Sequence, residues 1–464
     1  MGNHQAHRSR GHLTGRAYQA MPDGDTIAAI STPPGIGGIG IVRISGPRAL
    51  EIGNILIAGK LQKNRVRFKK FLDATGQALD HGLCFYCQAP HSFSGEDVVE
   101  IQGHGGPILL DMLLERVCEL GARLARAGEF SERAFLNGKV DLAQAEAIAD
   151  LIESGSRAAA KAAMRSLEGL FSKQIHELVE DIINLRAYIE AALDFAEEEI
   201  DFLADGSVDD RLKSSLDKLQ EIIGQAENGR VLNEGLTITI AGLPNAGKSS
   251  LLNYLAGYDA AIVTDIAGTT RDVLREHISL NGIPLRINDT AGLRDSDHPV
   301  EKEGVRRAWQ EIAAADRVLL LVDASIGMTE ADESIARHLE STGYCLIYSK
   351  SDLLDGSSDK NADALYISTL SGEGMEELKK LILGNFSDYN QDNKTIMARR
   401  RHVDALIRAR DSLLQARQVF GDTRAGELVA EDLRMAQQYL NEITGEFTPD
   451  NLLGRIFSSF CIGK

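Results

Sequence analysis

The chain has 464 residues, 43% of them hydrophobic and 5% aromatic, with one tryptophan and a formal net charge of −18. That length allows roughly two to four domains with ordinary packed cores, and no run approaches the roughly 18 apolar residues of a membrane span. The acidic balance argues against a bare nucleic-acid binder, which is usually basic; if the chain acts on RNA, much of the phosphate binding falls to a partner.

Residues 1–20 contain Arg and His but no acidic residue. They lack the apolar face of a transit peptide, and Ala6 stands where a myristoylation motif needs Ser or Thr. A disordered leader is expected there, with Met21 as the working start. Over residues 21–141 the pattern is mixed α+β. Thr26–Ile30 and Gly40–Ile44 read as strands around the turn Pro33–Gly38, and residues 108–120 as a helix. Five cysteines (Cys84, Cys87, Cys118, Cys345, Cys461) without a secretion signal suggest reduced thiols and a cytoplasmic setting. Cys84 and Cys87 form a C-x-x-C in a strand-like stretch, and no second pair follows. They read as two ordinary half-buried thiols in preference to a zinc or redox site.

Residues 142–230 are rich in Ala, Leu and Glu at helical spacing. Residues 231–385 alternate apolar strands with amphipathic helices, the signature of a parallel sheet; Val318–Val322 is one fully buried strand. The helical pattern returns in 386–464, from Arg399 onward. The fold expected is therefore multidomain: an α+β region, then an all-α domain into which an α/β unit is inserted. Two connections near 230 and 386 would carry that unit, so that a nucleotide-driven change pulls on the helices.

The α/β block holds the chemistry. The strand Leu236–Ala241 runs into Gly242-Leu-Pro-Asn245-Ala246-Gly247-Lys248-Ser249, and Ser250 opens a helix. This is G-x-x-x-x-G-K-S in its strand–loop–helix setting. The glycines let backbone N–H groups turn toward phosphates, and the helix N-terminus adds positive potential. Lys248 is expected on the β/γ-phosphates and the Ser249 hydroxyl on Mg²⁺. Downstream, Gly268-Thr269-Thr270 precedes a strand, and Thr270 can complete the Mg²⁺ shell. Asp289-Thr290-Ala291-Gly292 ends another strand, with Asp289 holding that shell and the Gly292 N–H sensing the γ-phosphate. These elements in this order suit a GTPase better than an ATPase.

Base choice rests on an N-K-x-D pattern, here Ser349-Lys350-Ser351-Asp352. Asp352 can accept from the guanine N1–H and exocyclic amine, while Ser349 in place of asparagine puts one base-side bond in question. Ser368-Thr369-Leu370 begins the last GTPase loop, with Thr369 where alanine is usual. Leu293 stands where Ras-like proteins use a glutamine to orient water. Glu301 lies in the acidic turn Asp295–Glu303, and on spacing alone a solvated surface glutamate is the favoured reading.

Asn245 in the phosphate loop, Thr264-Asp265-Ile266-Ala267-Gly268-Thr269-Thr270-Arg-Asp and Asp289–Arg294 together resemble the MnmE (TrmE) family of tRNA-modification GTPases. So do Thr32-Pro-Pro-Gly35, Gly103–Pro107, Gly128–Phe135, Gly445–Thr448 and the terminal Phe460-Cys-Ile-Gly-Lys464. The resemblance spans nearly the whole chain after residue 24. It implies a homodimer that works with an FAD-containing partner, MnmG (GidA), to place an aminomethyl or carboxymethylaminomethyl group on C5 of the wobble uridine of certain tRNAs. The one-carbon unit would come from 5-formyl- or 5,10-methylene-tetrahydrofolate. By the same resemblance the α+β region binds the folate and dimerises, with Arg43, Glu100, Lys139 and Lys464 as contacts. It also implies a K⁺ ion held by Asn245, Thr264, Ile266 and Thr269, doing the work of an arginine finger, and makes Glu301 the water-orienting group. Ala127 and Ala196 depart from a family proline.

Cys461 reads equally as a reactive or a buried structural thiol and receives no catalytic role. Arg399–His402 could meet tRNA phosphate, but a solvated helix start is the favoured reading. A ribosome-assembly-type GTPase switch acting by binding alone is the main alternative function; it usually carries a compact basic RNA-binding module, which this chain lacks. A folate-dependent aminomethyltransferase with a vestigial GTPase domain fits poorly with intact Lys248, Ser249 and Asp289.

Overall fold

The computed structural model describes residues 24–194, 207–258, 278–280, 283–289, 309, 311–340, 342–354, 364–384, 395–446, 450–460 and 463. The chain divides into two compact units, Met1–Lys139 with Gly454–Lys464, and Val140–Leu453. The leader 1–20, Ala196 and Cys461 lie outside the described residues.

The first unit is built on a six-stranded sheet. Its strands are β1 (Ile27–Ile30), β2 (Gly37–Ser45), β3 (Arg67–Leu72), β4 (Ala78–Cys87), β5 (Val98–Gly105) and β6 (Arg123–Leu124), in the order β3-β4-β5-β2-β1-β6. All neighbours are antiparallel except β1 and β6. Strand β2 starts earlier than the sequence pattern suggests, through an irregularity between Gly37 and Gly40. Helices α1 (Ala49–Leu56) and α2 (Pro107–Glu119) cover one face, where Val42, Ile44, Val99 and Ile101 pack on Ile52, Leu56, Leu113 and Val117. Because side chains alternate along a strand, Arg43 and Glu100 face the other way. There α3 (Glu129–Leu136) covers only the β1 end, with Phe130 buried against Ile27 and Ala29.

The same alternation separates Cys84 from Cys87. Cys84 is buried among the α1 and α2 contacts, and Cys87 is half-buried on the opposite face, where the charges of Glu100 and Arg43 reach it. Burial pushes both thiols up.

The second unit combines helices and a parallel sheet. Its helices are α4 (Leu142–Glu153), α5 (Arg157–Leu167), α6 (Leu170–Asp194), α7 (Ser207–Glu234), α8 (Lys248–Tyr258), α9 (Glu330–Leu339), α10 (Met375–Leu383), α11 (Arg400–Thr423) and α12 (Gly426–Thr444). A final helix, α13 (Asp450–Ser458), leads into the C-terminal segment. Asp141 starts α4 with a capping box to Gln144. Leucines and isoleucines at helical spacing on α6 and α7 (Ile175, Ile182, Leu212, Leu219) share one core with those of α11 and α12 (Leu406, Leu413, Leu433, Leu440). Helices before and after the α/β sheet thus pack together. That sheet contains β7 (Leu236–Ala241), β8 (Ile278–Leu280), β9 (Ile283–Asp289), β10 (Arg317–Asp323), β11 (Cys345–Ser349) and β12 (Leu365–Tyr366), ordered β12-β11-β10-β7-β9-β8. Only β8 is antiparallel to its neighbour.

The start of α11 corrects one expectation. Arg399–His402 is neither a solvated helix start nor an RNA-facing patch, because three of its four side chains turn inward onto α4. Arg401 forms a two-pronged ion pair with buried Glu146, and Arg399 donates to Asp150 at 2.7 Å. His402, 2% exposed, accepts from the Arg399 N–H through Nδ1 and meets Glu146 through Nε2 at 2.9 Å. With Nδ1 accepting, the ring proton sits on Nε2. Burial and the Arg401 guanidinium push His402 down to about 4, against the pull of Glu146. Burial alone would raise Glu146; Arg401 and His402 instead hold it well below the usual carboxylate range. Only Arg400 of the run is exposed.

Candidate active site

The phosphate loop leaves the C-terminal end of β7 through Gly242, whose φ is +142°. A Cβ there would lie 2.4 Å from the Leu321 carbonyl oxygen, so only glycine fits. Asn245 at the loop tip is left-handed with φ 68°, a conformation asparagine tolerates better than most residues, and Gly247 follows with φ 92°. Ala246 between them is buried and anchors the loop in the sheet's core. Helix α8 begins at Lys248, whose Nζ donates back to the carbonyls of Gly242 (2.7 Å) and Leu243 (3.0 Å). Ser249 and Ser250 are exposed in its first turn. The N–H groups of a helix start, glycine-rich backbone and an ammonium thus converge on one end of β7, which is what phosphate oxygens require.

The base-reading segment follows β11. Ser349 is buried, and its hydroxyl turns toward the phosphate loop: Oγ meets the Ala246 carbonyl at 2.6 Å and the Val322 carbonyl at 3.2 Å. The residue that replaces asparagine therefore ties β11 and β10 to the loop. Lys350, left-handed at φ 57°, pairs with Asp323 at 2.5 Å. Burial would raise Asp323, but donors from Lys350 and Ser325 hold its carboxyl below the usual range. Ser351 is buried and donates to Glu373 at 3.1 Å, while Asp352 is exposed and accepts from Ser368 Oγ at 2.5 Å. Ser368 Oγ also accepts from the N–H groups of Leu370 (3.2 Å) and Ser371 (3.1 Å), so one hydroxyl fixes the last loop to the base motif. Thr369 is half-buried, and Leu370 is 87% exposed beside them.

Asp289 ends β9 in register with Ile240 of β7, next to the loop's origin. Thr264, Asp265, Ile266, Ala267, Gly268, Thr269, Thr270, Thr290, Ala291, Gly292, Leu293 and Glu301 lie outside the described residues.

Sequence reasoning missed how the sheet is held to the helices. Asp316 accepts from Arg230 at the end of α7 (2.9 Å) and from the Thr237 N–H at the start of β7 (2.9 Å). Gly229 in α7 packs so closely on residues 395–398 that a Cβ would fall 1.8 Å from the Ile396 carbonyl oxygen. The chain entering the α/β sheet and the chain leaving it are therefore in contact. The one signal in the sequence was a glycine inside a long helix.

In the first unit, Arg43 and Glu100 stand opposite each other in the β2–β5 register, with Nε to Oε1 at 2.8 Å. Arg43 lies 5.6 Å from the ring centroids of both Phe93 and Phe130, and its Nη1 is 3.4 Å from the Gly463 carbonyl. Lys139 instead reaches the Pro90 carbonyl at 3.0 Å, on the loop that carries Phe93. Lys464 lies outside the described residues. Below Arg43, Arg133 joins Asp25, Glu96 and Glu129, and Arg123 joins Glu129. Glu129 would be raised by burial but is held down at about 2, first by Arg123. The motif Gly128–Phe135 thus supplies a buried ionic cluster through Glu129 and Arg133 and places the Phe130 ring beside Arg43.

A phosphate cradle and a base-reading loop on neighbouring ends of one parallel sheet define the class: a P-loop GTP hydrolase. Comparison with known proteins carries this further. Residues 142–461, more than half the chain, match the family model "MnmE helical domain", and residues 26–139 match "GTP-binding protein TrmE N-terminus". The tRNA modification GTPase MnmE of Marinobacter nauticus is 54% identical over 96% of this chain and 100% of its own. Those of Legionella pneumophila strain Paris (54%) and Vibrio cholerae (51%) each cover 95% of this chain and 99% of their own. Among solved structures, the G domain of the T. maritima FeoB iron transporter matches 34% of this chain and 99% of its own at 25% identity, with a TM-score of 0.25, too low to bear on the fold. The chain belongs to the MnmE family of tRNA-modification GTPases.

Proposed function

We propose that GTP hydrolysis by this chain drives modification of the wobble uridine of certain tRNAs at C5, adding an aminomethyl or carboxymethylaminomethyl group. The partner is an FAD-containing protein of the MnmG (GidA) type, and the one-carbon unit comes from a tetrahydrofolate. The observation that carries this reading is full-length identity above 50% to tRNA modification GTPases, joined to a phosphate loop that carries Lys248 and Ser249 and is tied to β11 by the Ser349 hydroxyl.

In this reading Lys248 exchanges its two loop carbonyls for the β/γ-phosphates, and the N–H groups of Gly247 to Ser249 hold the same oxygens. Ser249, which is exposed, would hold Mg²⁺ together with Thr270, and that ion would supply charge neutralisation on the β- and γ-oxygens. Asn245, exposed at the loop tip, offers a neutral oxygen suited to K⁺ with Thr264, Ile266 and Thr269. Asp352 accepts from guanine, and Ser368 holds it in position. Leu293 cannot orient water, so Glu301 takes that role. Coupling runs through Asp316, Arg230 and the Gly229–Ile396 contact, where a shift of β7 is felt by α7.

Arg43 and Glu100 form the folate site with Lys139 and Lys464: the guanidinium suits a folate carboxylate, and Glu100 suits the N–H edge of a pterin. Phe93 and Phe130 supply apolar walls. Ile36 (94% exposed), Ile39 (65%) and Ile108 (78%) are apolar surface that suits self-association of the first unit. The setting is the cytoplasm, in keeping with free Cys84, Cys87, Cys118 and Cys345. No helix among the described residues is long and apolar enough to cross a membrane.

Two assays test the site roles. Turnover of GTP should rise strongly in K⁺ over Na⁺, and much less so in Asn245→Ala; equal rates in the two salts would remove the ion. Calorimetry should detect 5-formyltetrahydrofolate binding without nucleotide, lost in Arg43→Ala; absence of heat and of competition by other folates would remove the pocket.

A further inference from the structure

We propose that the outer edge of the first unit's sheet, strand β3 and the loop before it, is an RNA-binding surface belonging to this chain itself. The proposal rests on the tRNA reading above and refines it, since the overall charge had assigned RNA binding to a partner.

Against a total of 68 acidic and 50 basic residues, the stretch Lys60–Lys70 holds Lys60, Lys63, Arg65, Arg67, Lys69 and Lys70 and no acidic residue. Every residue from Gln62 to Lys70 is exposed. Among the described residues no carboxylate pairs with these six side chains, and Arg67 donates only to Gln62, at 3.1 Å. The cations are nevertheless held on a frame. Lys63 bridges to Tyr86 of β4, the Asn64 N–H donates to the Tyr86 carbonyl at 3.0 Å, and Arg67–Lys70 run in register with Cys84–His81. In a strand, cations two residues apart on one side stand roughly 7 Å from each other, so a row of positive charge lines the sheet's edge.

Lysine on an edge strand has a simpler use, to keep the edge from pairing with another chain. That use does not account for the apolar side chains among the cations. Phe68 is 69% exposed and stands opposite Leu83 (41% exposed), with Lys70 and His81 as the next pair on the same face. An edge guarded against pairing would avoid an open aromatic. Exposed aromatic interleaved with unpaired cations is instead the composition that binds nucleic acid, the cations tracking phosphates and the ring stacking a base. Strand alternation puts Phe68 on the face that also carries Arg43 and Glu100, through the pairs Leu83–Gln102 and Phe85–Glu100. RNA on this edge therefore lies along the face of the proposed one-carbon site.

The test is fluorescence anisotropy of a labelled tRNA transcript with the full chain across a KCl series. A variant combining Lys63→Ala, Arg65→Ala, Lys69→Ala and Lys70→Ala should bind at least about ten-fold more weakly at low salt. Its log–log salt slope should be shallower by roughly 0.7 to 0.9 for each phosphate that is no longer neutralised. Phe68→Ala should lose about five-fold or more in affinity with an unchanged slope. GTP turnover should be unchanged in both, because β3 carries none of the nucleotide contacts. Absence of tRNA binding by the wild-type chain, or wild-type affinity and slope in both variants, would overturn the proposal. So would loss of self-association in analytical ultracentrifugation with RNA affinity intact, which would make the edge a protein-docking surface. Wobble-nucleoside analysis of a deletion strain tests the tRNA reading independently. Lost modification there, with unaltered RNA affinity in the variants, would sink the edge and leave that reading standing.

Discussion

The parallel sheet of the second unit gathers its phosphate loop and base motif at strand ends, whereas the antiparallel sheet of the first unit gathers its proposed folate site across strands. At the end of β7, eight consecutive residues from Gly242 to Ser249 form the cradle, and its principal distant tie is Ser349, 103 residues away. Arg43 meets Glu100 from 57 residues away and the Gly463 carbonyl from 420. The first kind of site depends on backbone conformations that a few residues enforce, namely Gly242, Asn245 and Gly247. The second depends on register, because a slip of one residue would carry Arg43 to the opposite face. A strand-end site tolerates change elsewhere in the fold, and a cross-strand site is only as good as the pairing beneath it.

The helical part extends this contrast. Its ionic cluster joins Glu146 to His402 across 256 residues, so it should be the most sensitive of the long-range assemblies. Glu146→Ala leaves Arg401 without its carboxylate and His402 without its acceptor, and should cost about 3–5 kcal/mol in urea unfolding of the helical core. The cluster also fixes a pH dependence. His402 is depressed from 6.5 to about 4, so between those values the unfolded chain binds the extra proton and stability rises with pH. The contribution is complete above about 6.5 and is lost as pH falls toward 4. The urea midpoint should follow that course, and His402→Gln should flatten it.

Next in size is Lys248→Ala, which removes a positive charge from the strand-end site. GTP hydrolysis should fall by about 10²- to 10³-fold while the urea midpoint hardly moves; comparable losses of activity and stability would erase the distinction between the two kinds of site. Asp352→Asn should follow. Its amide donates where the carboxylate accepted, so preference for GTP over XTP should fall by roughly 10- to 100-fold, the worth of a hydrogen bond to a charged group. Ser349→Ala should be smallest, about five-fold in GTP affinity for a neutral bond of about 1 kcal/mol. Because its hydroxyl faces the Ala246 carbonyl, the GTP-over-XTP ratio should stay put. A change in that ratio would return Ser349 to the base.

These differences also explain what the sequence disclosed. The strand Leu236–Ala241, the loop, the start of α8 and β11 before Ser349 were legible because each is written in consecutive residues with a known phosphate or base chemistry. The long helices were legible from spacing. Arg399–His402 was misread because a run of cations looks solvated until Glu146 and Asp150, about 250 residues earlier, are seen beneath it. Ser349 was read against the base because the motif names the base, and its turn toward Ala246 depends on the β10–β11 pairing. Arg43 and Glu100 come together in the sequence only as two of the folate contacts that the family resemblance implies, and their pairing is seen only in the β2–β5 register. Nothing local in Ile-Val-Arg43-Ile or Val-Glu100-Ile announces that the two stand in register.

The central claim is that hydrolysis, beyond GTP binding, drives the modification. Glu301→Ala in a strain whose own copy is deleted tests it most directly, with wobble nucleosides read by mass spectrometry and the purified variant assayed beside it. A carboxylate that orients water acts in the transition state, so the variant should bind GTP nearly as well as wild type. It should hydrolyse GTP at least about ten-fold more slowly, a barrier change of roughly 1.4 kcal/mol or more, and the modified wobble uridine should disappear from its tRNA. Full modification despite failed hydrolysis would contradict the claim and leave GTP as a ligand only.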